Sequence, residues 1–83
     1  MSDPAYLKPG NVDFCLAHVV EECGEVLSAA GKTQRWGLDS SDPTLPKDQQ
    51  ETNEAWLRRE LNDLLEAIPR LLGAMDERKK SKR

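Results

Sequence analysis

From Asn11 to Ala30 the chain runs without a proline, and its apolar side chains recur every three or four positions. That spacing is the period of an α-helix with one greasy face. Asn11 is a good N-cap and Asp13 suits the first turn, where acidic groups meet the positive end of the helix dipole. Gly31 offers a stop, with residues 32–36 as an extension or a following turn. A second helix is expected from Thr52 or Asn53 through the run WLRRELNDLLEAI. Pro69 falls inside that pattern, so a kink or restart is expected there, after which RLLGAMDERKK continues. No run of alternating β-branched residues appears, so no strand is expected. The predicted class is therefore all-α: a helical hairpin within one domain, residues 1–83. Residues 1–10, with Pro4, Pro9 and Gly10, form an irregular lead-in. Residues 37–52, with Gly37, Pro43 and Pro46, form a connecting loop longer than a simple turn requires.

Such a hairpin is short of means to stabilise itself. A chain of 83 residues buries only about 60% of its unfolded surface when it folds alone. Small domains usually add disulfides, a metal or a partner subunit. Cys15 and Cys23 are the only cysteines. Eight residues apart on one helix, their Cα atoms lie about 12 Å apart, too far for a disulfide. No apolar run spans a membrane and none follows a basic start, so a reduced cytoplasm is the expected compartment. The net charge is −3, unevenly spread. Residues 1–75 carry 7 basic and 13 acidic side chains, whereas residues 76–83 carry 5 and 2. The basic tail suits a helix C-terminus. An acidic body and a tail without aromatic residues argue against nucleic acid as a partner.

On a wheel of 100° per residue, Cys15, Leu16, Val19, Val20, Cys23, Val26, Leu27 and Ala30 fill one arc of the first helix. Glu21, Glu22 and Glu25 fall largely opposite, beside Phe14, His18 and Ala29, where they could be solvated. The second helix sets Leu57, Leu61, Leu64, Leu65, Ile68, Leu71, Leu72 and Met75 on its apolar arc. Arg58, Arg59, Asn62, Glu66 and Arg70 form its wet face. Glu60 and Asp63 fit neither group, because they share a side with Trp56, Ala67 and Ala74. A carboxylate at an apolar edge calls for a counter-charge or a metal ion.

Glu22-x-x-Glu25 and Glu60-x-x-Asp63 each place two carboxylates on adjacent turns of one face. Glu21, four before Glu25, can join the first pair. Antiparallel packing brings these acids into one cleft, where they repel each other unless a cation is present. Carboxylate oxygens suit Mg²⁺, or Mn²⁺, rather than a closed zinc site built on Cys and His. His18 is read as a local hydrogen-bonding group, not a ligand.

The segments Glu21-Glu22-Cys23-Gly24-Glu25-Val26 and Glu60-Leu61-Asn62-Asp63-Leu64-Leu65 resemble the MazG-like branch of the all-α nucleoside triphosphate pyrophosphohydrolases. Lys32-x-x-Arg35-Trp36-Gly37 is similar to a basic, then aromatic-Gly segment of its small phage-type and bacterial members, as is Asn53 opening the second helix. The resemblance spans roughly residues 14–72. It implies Mg²⁺-assisted hydrolysis of a nucleoside triphosphate to the monophosphate and pyrophosphate, in a helical bundle formed by a homodimer or homotetramer. It implies Glu22, Glu25, Glu60 and Asp63 as metal ligands, with Glu21 as a further ligand or the residue orienting the attacking water. Glu21, Glu22 and Glu25 are thus the catalytic candidates. Lys32 and Arg35 become phosphate contacts, and Trp36 packs on base or sugar or anchors the loop. The chain departs from the family in its shortness, in Pro69 and in Asn62.

Two other readings compete. A phosphoribosyl-ATP pyrophosphohydrolase has the same fold and size, although the Lys32–Gly37 segment argues against it. A non-catalytic helical dimerisation or adaptor module explains the leucine stripe but not the side on which Glu60 and Asp63 lie. In each case a lone hairpin has more apolar surface than it can cover. Self-association is expected, with the acidic cleft open to completion from two chains.

Overall fold

A computed structural model describes residues 11–81. Helix α1 spans Val12–Trp36, a single 3-10 turn spans Lys47–Gln49, and helix α2 spans Asn53–Ser81. Among the described residues there is no strand, and the two helices pack against each other as a hairpin. The expected lead-in, residues 1–10, lies outside the described residues, as do Lys82 and Arg83 of the basic tail. The start of that tail continues α2.

The caps explain the helix bounds. Asn11 Oδ1 accepts from the Phe14 amide at 2.8 Å, satisfying one of the free N–H groups of the first turn. Helix α1 does not stop at Gly31. It continues through residues 32–36 and ends at Gly37, whose φ of 92° and ψ of 162° lie in a region nearly closed to side-chain-bearing residues. The Gly37 amide turns back to the Thr33 carbonyl at 2.8 Å. Helix α2 likewise runs on through Pro69 without a restart. Proline leaves the Leu65 carbonyl without its usual amide. Both residues are exposed, so that carbonyl faces water and the helix survives.

Loop carbonyls cap α2. The Asn53 amide donates to Ser40 O at 2.7 Å, and the Glu54 amide donates to Leu38 O at 2.9 Å. The Asn53 side chain is buried and donates to Gly37 O at 2.9 Å and to Lys32 O at 3.5 Å. One residue therefore ties the end of α1 to the start of α2 and fixes the long loop at both ends.

The seam between the helices differs from the one the apolar arcs predict. Cys15, Ala29, Ala67 and Ala74 are its buried apolar residues, and Glu60 and Asn53 are buried with them. Glu22, His18 and Val26 are half-buried on α1, and Asp63, Trp56 and Leu57 on α2. Both helices are thus turned roughly a quarter turn from their apolar arcs. The reading of Glu22 as part of a solvated face is corrected: it points into the seam, while Glu21 and Glu25 face solvent. Small alanines let the two backbones approach. The bulkier Leu16, Val20, Leu27, Leu61, Leu65, Ile68, Leu72 and Met75 stay on the outside.

The hairpin measures 54 × 25 × 16 Å, with a radius of gyration of 16.7 Å. A compact domain of this length would have a radius of about 12 Å. The chain forms a single layer with one wet face and one greasy face.

Candidate acidic site and loop-side cavity

Glu22, Glu60 and Asp63 each offer a carboxylate oxygen, and these three oxygens lie within 4.8 Å of one another. Antiparallel pairing of α1 and α2 brings them together, and the Glu60-x-x-Asp63 spacing sets two of them on adjacent turns. Oxygens sharing one six-coordinate ion at about 2.1 Å sit roughly 3.0–4.2 Å apart, so small side-chain rotations would close this group on a cation. Three carboxylates without Cys or His match a hard divalent ion. All three come from one chain. Glu25, also expected as a ligand, is exposed and lies outside the three-oxygen group, and Glu21 is exposed beside it.

Each member is held by neighbours. His18 Nε2 lies 3.3 Å from Glu22 Oε2, the local contact expected of a histidine one turn away. Glu60 Oε2 accepts from the indole Nε1 of Trp56 at 3.2 Å and lies 3.6 Å from Nη2 of Arg59. Burial raises the Glu22 carboxyl above the usual glutamate range. The charges of Asp63, Glu21 and Glu60 push the same way, and His18 opposes them.

Next to the carboxylate group is a cavity of about 790 Å³ between the end of α1, the loop and the start of α2. Lys32, Trp36, Asp42, Asn53, Trp56 and Arg59 are among its walls. Lys32 and Trp36, the expected substrate contacts, both line this cavity, although Trp36 is exposed. Arg35 is exposed and is not among the lining residues. Trp56 and Arg59 line the cavity and also touch Glu60, so the cavity adjoins the carboxylate group directly. Asp42 accepts from the Thr44 hydroxyl at 2.6 Å and the Thr44 amide at 2.9 Å. Those bonds, with the charge of Lys32, hold its carboxyl below the usual aspartate range. On the loop's other wall, Arg59 is clasped by Glu51.

Periodicity sets Arg59 on the wet face and marks Trp56 only as a neighbour of Glu60; the structure brings both to the cavity wall beside Glu60. The four-residue step from Trp56 to Glu60 was visible in the sequence. The pairing of Glu51 with Arg59 was not, because it crosses a helix boundary.

No protein-family model matches the chain, and no curated protein or solved structure matches it.

Proposed function

We propose that the chain is a Mg²⁺-dependent nucleoside triphosphate pyrophosphohydrolase, splitting a nucleoside triphosphate and water into the monophosphate and pyrophosphate. The convergence of Glu22, Glu60 and Asp63 beside a cavity with two tryptophans and two cations carries this reading. An adaptor module gives no reason for a buried Glu60 next to such a cavity.

Mg²⁺, when bound, would neutralise the triphosphate and polarise the phosphoanhydride bond. Glu22, Glu60 and Asp63 would hold it. Glu25, one turn beyond Glu22 and exposed outside the three-oxygen group, would be the nearest further carboxylate on α1. Glu21, exposed beside Glu22, would be the carboxylate left free of the metal to orient the attacking water and take up its proton. Water provides the oxygen, the bond between the α and β phosphates breaks, and pyrophosphate leaves. Trp36 and Trp56 offer flat apolar surfaces to the base and sugar. The exposed leucine arc supports self-association as a homodimer or homotetramer, in which it becomes the core of a larger bundle.

Turnover of a panel of nucleoside triphosphates, and of phosphoribosyl-ATP, tests the reading. Pyrophosphate release is expected with Mg²⁺ or Mn²⁺, and its loss with EDTA and in Glu25→Gln and Asp63→Asn. Turnover unaffected by all of these would overturn the reaction. A clear preference for phosphoribosyl-ATP would redirect the substrate.

A further inference from the structure

Arg59 sits where the cavity meets the carboxylate group. Its Nη1 donates to both oxygens of Glu51 at 3.0 Å, and its Nη2 lies 2.9 Å from Glu51 Oε1. The same Nη2 lies 3.6 Å from Glu60 Oε2. The guanidinium therefore links a loop carboxylate to one of the proposed metal ligands.

We propose that Arg59 grips the phosphate chain of the substrate, and that Glu51 is a displaceable carboxylate holding the guanidinium in place until phosphate arrives. The proposal rests on the reading of cavity and carboxylates as one nucleotide site.

Three observations carry it. First, the arginine fork presents two parallel N–H groups, a geometry that fits a carboxylate and a phosphate equally well. The site occupied by Glu51 has the shape a phosphate needs. Second, the pair is half exposed on both sides, at 51% for Arg59 and 41% for Glu51. An ion pair this wet contributes little, so exchanging one anion for another meets little resistance. Third, Arg59 lines the cavity and Arg35 does not. Lys32 is the other lining cation, so a phosphate chain in the cavity has Lys32 and Arg59 as its cationic walls. Each of these cations already has an acid near it, Asp42 for Lys32 and Glu51 for Arg59. The cavity is thus charge-balanced when empty, and it gains an anion site when Glu51 swings away.

Binding of inorganic pyrophosphate, followed by titration calorimetry at constant Mg²⁺, tests this without turnover. Wild type is compared with Arg59→Gln, Arg59→Lys and Glu51→Gln, and each variant's thermal midpoint is recorded. Arg59→Gln is expected to weaken binding about tenfold or more, and Arg59→Lys to recover part of it. Glu51→Gln is expected to tighten binding several-fold, because the competing anion is gone. A structural ion pair would instead lower both midpoints and leave the pyrophosphate affinity unchanged. That result, or no binding by wild type, overturns the inference. Nucleotide turnover is scored separately. Pyrophosphate binding that responds to Arg59 in a chain with no turnover removes the reaction and keeps the anion site. Turnover with an affinity indifferent to Arg59 does the reverse.

Discussion

The indole of Trp56 donates to Glu60 one turn further along α2, at 3.2 Å. This bond gives the most buried of the three clustered acids a neutral donor, and it joins the cavity wall to the carboxylate group. Trp56→Phe keeps a six-membered aromatic ring but removes the five-membered part of the indole together with its N–H. The expected cost is about 1–3 kcal/mol, because a buried acceptor loses a partner. Urea denaturation without divalent ions would measure it. An unchanged midpoint would mean that Arg59 alone satisfies Glu60.

Glu22 gives a pH prediction with a definite sign. Its folded pKa is raised, chiefly by burial and then by Asp63. A raised acid favours the fold fully while it is protonated, and that contribution is lost as pH rises through the folded pKa. Without metal, Glu22→Gln is therefore expected to be more stable than wild type at neutral pH. The two should converge below the ordinary glutamate pKa of 4.5. Melting curves from pH 4 to 8 with EDTA would show this, and a difference independent of pH would contradict it.

Divalent cations should reverse that order. A ligand bound only by the folded state stabilises by about 1.4 kcal/mol at ten times its Kd. Millimolar Mg²⁺ is thus expected to raise the midpoint of wild type and to leave Asp63→Asn and Glu22→Gln nearly unmoved. Equal shifts in all three proteins would mean that the ion acts elsewhere.

The alanines of the seam should tolerate little. Ala29 and Ala67 are fully buried between the helices. Ala67→Leu inserts three heavy atoms where the backbones are close, at an expected cost of about 1–3 kcal/mol. The helices also separate beside Glu60 and Asp63, so the Mg²⁺-dependent rise of the midpoint should shrink. A stable variant with a full Mg²⁺ response would show that the seam can open without disturbing the acids.

Leu27 is 73% exposed and Leu65 is 65% exposed, each on the outer arc of its helix. Burying such residues against another copy yields roughly 25 cal/mol per Å². Light scattering at micromolar concentration is expected to give the mass of a dimer or tetramer, and Leu65→Lys a smaller mass. A wild-type monomer would contradict this.

The helices were legible in the sequence because their period and caps are local properties. Asn11 fixed one end of α1 by side-chain chemistry that needs no tertiary partner. The sequence leaves the C-terminal end open between Gly31 and an extension through residues 32–36, because a glycine inside a helix and a glycine ending one look alike until φ is known. Gly37, six residues on, is the one held at positive φ. The acids were found by spacing, yet the orientation of the helices was not. An apolar arc marks what avoids water, and in a hairpin this short that surface can be turned away from the partner helix. Alanine was the signal that went unused: Ala29, Ala67 and Ala74 mark where two helices come closest. Glu25 was paired with Glu22 by spacing alone, but the half-buried seam admits Glu22 and leaves Glu25 outside.

The clustering of Glu22, Glu60 and Asp63 within one hairpin has a genetic consequence. If copies associate through the leucine arcs, each still brings a whole set of three acids of its own. Mixing Glu22→Gln protomers with Asp63→Asn protomers then leaves every acidic triad lacking a member. Shared subunits would confer no complementation between the two alleles, and a heterozygous assembly would work only in proportion to its intact chains.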